Sequence, residues 1–150
     1  MTTQVSTAVW SGITKAIFET ATITAAAPAS PTANFNVSSQ AVQFYTSAST
    51  NSFIFNLRGD GSTTLEALMA IGQSTTVATL VTCSNSAHYL TAFRIDGNAS
   101  GANGYSFTAK WQGGTASLSG NANSIDIYTV NVIKTASKTF TILASQTKFA

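Results

Sequence analysis

The sequence predicts an all-β fold: an antiparallel β-sandwich of jelly-roll type, with one short helix and an N-terminal arm. Three observations lead there. Past Asn34, short runs alternate apolar and polar residues, the period of a half-buried strand. Turn residues (Gly, Asn, Asp and Ser) divide these runs at intervals of roughly 8–15 residues, the spacing of sandwiches and barrels. Only one stretch carries a helix-forming composition with a start and a stop.

The first 31 residues read as an arm and linker, and residues 32–150 as the β domain. In the arm, Trp10, Ile13, Ile17 and Ala21 recur at helical spacing, but the segment is rich in Thr and β-branched residues. Helix and strand are both open there. Trp10, Ile13, Ile17 and Phe18 are the apolar residues through which this arm would contact a partner. Ala25-Ala-Ala-Pro-Ala-Ser-Pro31 holds both prolines of the chain and reads as a short extended linker.

Within the domain, Phe35 and Val37 alternate with polar neighbours, and Val42, Phe44 and Thr46 lie opposite Gln43 and Tyr45. Phe53, Phe55 and Leu57 form a strand that Gly59-Asp-Gly61 ends. Thr63 to Ile71 is the helix candidate. Glu66 to Ala70 favour helix, Thr63 or Thr64 can cap, and Gly72 stops it. Val77, Thr79, Val81 and Cys83 share one face with Ala78 and Leu80 on the other, which predicts a central strand. Tyr89, Thr91, Phe93 and Ile95 follow, with Arg94 outward. Tyr105, Phe107, Ala109 and Trp111 are expected inward, and Ile125–Lys134 and Thr139–Ala144 are expected to close the chain as two long strands. The inward aromatics Phe53, Phe55, Phe93, Phe107, Trp111 and Phe140 would each bury about 150–250 Å². Truncating one to alanine should cost about 3–5 kcal/mol.

Composition narrows function. Only 8% of residues are charged while 44% are apolar, against about 25% charged in an ordinary soluble domain. A surface of hydroxyls and amides with a net charge of +2 suits packing against copies of itself or against a larger body. The seven basic residues form no tract, which argues against nucleic acid. No run reaches the roughly 18 apolar residues of a membrane span. Met1 to Trp10 has no basic start followed by an apolar core, so synthesis in the cytoplasm without a secretory signal is expected. The single cysteine, Cys83, sits in an apolar run and reads as a small buried hydrophobe.

No motif rises to a catalytic or metal site. His88, the one histidine, has no Gly-x-Ser-x-Gly elbow with it, and a Cys83–His88 dyad would need a thiolate inside an apolar strand. One His and one Cys do not make an ordinary zinc site. Asp96, Asn98, Ser100 and Gly101 match the opening of a calcium loop, but position 12 is Phe107 where a bidentate Glu is required. Asp60 and Asp96 precede glycines in turns, and Glu66 lies in the first turn of the expected helix. Arg58-Gly-Asp60 reads as a turn after a strand, not an adhesion tripeptide. Neither catalysis nor a cofactor is expected.

A resemblance takes the reading further. The stretch Thr91-Ala-Phe-Arg-Ile-Asp-Gly97 is followed by Lys110-Trp-Gln-Gly-Gly-Thr-Ala116, Gly120-Asn-Ala-Asn-Ser-Ile-Asp-Ile-Tyr128, Val132-Ile-Lys-Thr-Ala136 and the run Thr139 to Phe149. These segments resemble a C-terminal β domain of virion proteins from tailed bacteriophages, especially those of marine and cyanobacterial hosts. The likeness extends loosely back to Asn34. It implies a phage particle component, variously a tail fibre, minor tail or structural protein, made in the host cytoplasm and located in the virion. Only about 30 residues precede the domain, shorter than a fibre's adaptor or stalk, and the Asn98–Gly104 loop is longer than the family's pattern suggests. The leading expectation is therefore a small, non-enzymatic capsid decoration (cement) protein that self-associates, a trimer being one expected form, and contacts coat or tail proteins. The alternative is a tail-fibre or receptor-binding module, its loops Asn98–Gly104 and Gln112–Asn123 meeting host surface glycans from one end of the sandwich.

Overall fold

A computed structural model describes residues 19–150. Among these residues nine strands build two sheets: β1 (Ala21–Thr24), β2 (Thr32–Asn36), β3 (Val42–Ser49), β4 (Phe53–Arg58), β5 (Ser74–Cys83), β6 (Leu90–Ile95), β7 (Ser106–Trp111), β8 (Ile125–Ala136) and β9 (Thr139–Phe149). The large sheet has the order β1-β3-β5-β8-β9-β7 and the small sheet β2-β4-β6. One helical turn, α1 (Leu65–Leu68), joins β4 to β5, and a 3₁₀ turn (Gln112–Gly114) follows β7. The fold is mostly β with mixed sheets, as the alternation predicts at the level of class.

The antiparallel expectation is corrected. From β1 to β6 the chain alternates between the sheets, so each strand returns beside its sheet neighbour in the same direction. The pairs β1·β3, β3·β5, β2·β4, β4·β6 and β7·β9 are parallel. Only β5·β8 and the β8·β9 hairpin are antiparallel. Side-chain alternation has period two in both kinds of sheet, so it carries no information about strand direction. The segment Ala21–Thr24, expected within the arm, pairs with Val42–Tyr45 and is a strand of the large sheet.

The core lies where the inner faces of the two sheets meet. Phe35, Phe53, Phe55, Leu57, Leu90 and Ile95 come from the small sheet; Val81, Tyr128, Val130, Val132, Phe140 and Ile142 come from the large one. Phe53 and Tyr128 meet edge to face across the sheets, with ring centroids 6.0 Å apart at 89°, the arrangement an aromatic quadrupole favours. The Tyr128 hydroxyl accepts hydrogen bonds from the Leu90 amide and Gln146 Nε2, both at 3.2 Å. The expected inward aromatics Phe53, Phe55, Phe93 and Phe140 are buried, while Phe107 and Trp111 are half-buried against the core's rim and Ala109 is exposed. β6 changes phase at a bulge: Phe53 pairs with Leu90 but Ile54 with Ala92. Leu90 and Phe93 therefore both point inward, and Thr91, expected with Phe93, faces solvent.

The helix is one turn, not the nine residues the composition favours. Thr64 caps it, its hydroxyl accepting from the Ala67 amide. Asp96, far along the chain, accepts from the Leu65 amide (2.6 Å) and the Glu66 amide (3.1 Å). At the other end the buried Lys134 ammonium donates to the Glu66 carbonyl (2.5 Å) and the Met69 carbonyl (2.9 Å) and pairs with the Glu66 carboxylate at 3.0 Å. These partners replace those a longer helix would supply. The next residues then pair with β8, Gly72 N–H donating to Lys134 C=O and Lys134 N–H to Gln73 C=O, so tertiary pairing overrides local helix propensity.

Candidate functional site

Two surfaces stand out, one on the outside of each sheet. Register places Ile23 beside Phe44, Phe44 beside Leu80 and Leu80 beside Ile127, an apolar row four strands wide on the outer face of the large sheet. Val42 and Ala78 extend it on the next rung, and Leu143 and Phe149 are exposed on β9 of the same face. The other outward positions are Thr, Ser, Asn, Ala and Ile, and the one charge among them is Lys110 on the edge strand β7. The inward residues of β5 and β8 fill the core, so the outward ones complete strands apolar on both sides, as expected for a central strand such as β5.

The small sheet has the opposite character. On its outer face, register aligns Asn34, Asn56 and Arg94, with Asn36 and Arg58 one rung on. Asn56 is buried; its Nδ2 donates to Asn34 Oδ1 (2.7 Å) and its Oδ1 accepts from the Gly97 amide (2.8 Å). Arg58 Nε donates to Asn36 Oδ1 at 2.8 Å. These side chains, with the loop Asp60–Thr64 and the turn Asp96-Gly97, line a cleft of about 420 Å³. The turn itself follows from its residues. Ile95 and Asn98 exchange both backbone hydrogen bonds across Asp96 (φ 52°) and Gly97 (φ 80°), the positive-φ pair that an Asp-Gly turn adopts.

The carboxylates of the cleft are committed to the fold. Asp60 Oδ1 accepts from the Ser62 amide (2.7 Å), the Thr63 amide (2.6 Å) and the Ser62 hydroxyl (3.0 Å). Hydrogen bonds from these two residues hold its carboxyl at about 2, below the ordinary 3.8. Asp96 caps α1 and also accepts from the Tyr105 hydroxyl at 3.2 Å. Burial, then the Asp96 charge beside it, pushes Tyr105 up to about 12. The opening residue of the apparent calcium loop is thus a helix cap supplied from another strand.

The remaining sequence candidates separate. Trp10, Ile13, Ile17 and Phe18 lie outside the described residues. The loops Asn98–Gly104 and Gln112–Asn123, expected at one end, stand at opposite ends of β7. Ser106 at its start is paired with Thr139 near the hairpin, and Trp111 at its finish with Ala144. The first loop is tied to the hairpin by Lys138 Nζ to the Asn103 carbonyl (3.2 Å), and the second to the far end of β9 by Asn121 Nδ2 to the Phe149 carbonyl (3.1 Å). His88 is half-buried between β5 and β6, and its side chain makes no hydrogen bond among the described residues. Cys83 is buried, 3.8 Å from the carbonyls of Val81 and His88. Burial, and next the Asp126 charge, raises its thiol pKa, the reverse of what a nucleophile needs. Among the described residues no three His, Cys, Asp or Glu side chains gather as a metal set, and no helix is long and apolar enough to cross a membrane.

Sequence reasoning placed Arg94 outward and Arg58 in a turn but did not bring the two together. The signal available was the polar parity of three runs, Asn34 and Asn36, Asn56 and Arg58, and Arg94. Aligning them requires knowing that β2, β4 and β6 are parallel neighbours. No family model, curated protein or solved structure matches the chain.

Proposed function

We propose that this is a non-enzymatic structural protein of a bacteriophage particle, a small decoration (cement) protein that works by surface contact and self-association. One observation carries the reading: the outer face of the large sheet, with its Ile23–Phe44–Leu80–Ile127 row and the single charge of Lys110. Exposed apolar patches rimmed by polar groups mark contact sites. Six strands about 4.8 Å apart, the longest about 36–40 Å, present a face on the order of 600–800 Å², close to the area one partner contributes to a standard interface. A face without opposed charges meets its own copy without repulsion, which fits a symmetric self-contact. In this reading the two sheets form a sandwich whose large outer face meets another copy or coat subunits, and the arm with Trp10, Ile13, Ile17 and Phe18 adds a second grip on coat.

Quantifying the protein against coat protein in purified particles tests this. Copy numbers comparable to coat are expected. A handful of copies per particle would exclude decoration and leave the tail-fibre or receptor-binding reading. Absence from particles would exclude both.

A further inference from the structure

We infer that the cleft on the outer face of the small sheet is a binding site for a monoanionic sugar, one carrying a carboxylate. The proposal is independent of where the protein sits on a particle, and it adds a ligand class and named anchors to a surface no motif marked.

The first support is the state of the two arginines. Arg94 makes no hydrogen bond and no ion pair among the described residues, and Arg58 uses only Nε, for Asn36. Both are partly covered by the cleft they line. Arg94 pairs in register with Asn56, and Arg58 is two residues further along β4. The two are therefore diagonal neighbours on one face, about 7–8 Å apart at the backbone. Two like charges so placed repel each other, and an anion bound between them would relieve that repulsion. Two planar forks lining one cleft suit a carboxylate, which accepts hydrogen bonds in pairs from guanidinium.

The second support concerns charge magnitude. Asp60 and Asp96 line the same cleft, so its formal charges balance at two positive and two negative. Their oxygens accept from backbone amides and the Tyr105, Ser62 and Ser38 hydroxyls and do not pair with the arginines. The guanidiniums are thus free for a ligand, but the local field is too weak to favour a polyphosphate or a nucleic acid backbone, whose binding grows with uncompensated positive charge. One negative charge is the best match.

The third support is the rest of the lining. Asn34, whose amide nitrogen makes no hydrogen bond among the described residues, the hydroxyls of Thr32, Ser62 and Thr63, and the Gly61 backbone surround the arginines. Amides and hydroxyls at fixed positions match sugar hydroxyls. Among the described residues no aromatic ring lines the cleft to stack on a neutral sugar, so the anion supplies the anchor. A volume of about 420 Å³ lies within the range of small-molecule sites.

The test is calorimetric titration of the full chain with galacturonate, with N-acetylneuraminate, with neutral galactose, and with inorganic phosphate and sulfate. Saturable binding of at least one of the two acidic sugars is expected, weakened by added salt, with galactose inert. Arg94→Gln and Arg58→Gln should each weaken it by about tenfold or more, the loss of a charge-assisted hydrogen bond. Lys110→Gln, on the opposite sheet, should leave it unchanged, and equal melting temperatures would show the variants folded. No binding of either acidic sugar at millimolar concentration, or binding that survives the double Arg variant, overturns the proposal. Phosphate or sulfate binding more tightly than both acidic sugars overturns the sugar assignment. Particle copy number does not bear on any of these outcomes, so this proposal and the decoration reading fail separately.

Discussion

Replacing Lys134 by methionine probes how the one helical turn is held between the sheets. The side chain is 7% exposed and its partner Glu66 is 20% exposed, with 3.0 Å between the charges. The ammonium donates to the Glu66 and Met69 carbonyls and pairs with the Glu66 carboxylate. Methionine keeps the apolar stem and removes every donor. Two carbonyls and a mostly buried carboxylate then lose their partner, and breaking such a pair from one side costs about 3–5 kcal/mol. Domains of this kind have about 5–15 kcal/mol in total. At about 2–4 °C per kcal/mol for a chain of this length, the melting temperature should fall by roughly 6–20 °C. Urea unfolding followed by tryptophan fluorescence measures this directly, and the midpoint should fall with no change in slope. Glu66→Gln keeps an acceptor for the Lys138 amide, which Glu66 holds at 2.9 Å. In a double-mutant cycle it should couple to Lys134→Met by more than about 0.5 kcal/mol. A loss below about 1 kcal/mol in Lys134→Met would refute the reasoning, because exposed ion pairs already account for that much.

Two further perturbations separate packing from titration. Gly120 packs so closely on the backbone of Ala87 and His88 that an added Cβ would overlap the His88 carbonyl oxygen, whereas one at Gly61 would meet nothing within 4 Å. Gly120→Ala should destabilise by about 1–3 kcal/mol, while Gly61→Ala should stay within about 0.5 kcal/mol; equal effects in chemical denaturation would contradict the close approach. Burial raises the pKa of Tyr45 and Tyr128 above the ordinary 10.0, and burial with the Asp96 charge takes Tyr105 to about 12. A folded pKa above the unfolded value means stability fully present below about pH 10 and lost as pH rises toward 12 and beyond. Tyrosinate absorbance should therefore rise cooperatively with unfolding in that window, and smooth titration of all four tyrosines with the fold intact would contradict it.

How much of this was legible in the sequence depends on the range of the interaction. The strand runs, the turn at Asp96-Gly97, the Thr64 cap and the burial of Cys83 follow from residues within a few positions of each other, and the structure has them. Strand direction does not, because β1 to β6 alternate between sheets and the pairing partner of each is found two elements away. Lys134 at the end of α1 and Asp96 at its start come from 68 and 31 residues away, so the length of the helix could not be read locally. The cleft was hidden for the same reason: Asn34, Asn56 and Arg94 come from three strands whose alignment is a tertiary fact.

The distribution of charge ties these observations to the functional reading. Four of the five acidic residues each accept from a backbone amide in a turn, a loop or the start of α1: Asp60 from Ser62 and Thr63, Glu66 from Lys138, Asp96 from Leu65 and Glu66, and Asp126 from Asn121 at 3.1 Å. In Asp60 these donors favour the charged form and hold the carboxyl at about 2, below the ordinary 3.8. The chain thus uses its few acids to fix loops between sheets, keeps the outer face of the large sheet nearly free of charge, and leaves the guanidiniums of Arg58 and Arg94 largely uncommitted. The proposed functions draw on this distribution: the large sheet's outer face would meet like surfaces, and the small sheet's cleft would take an anion.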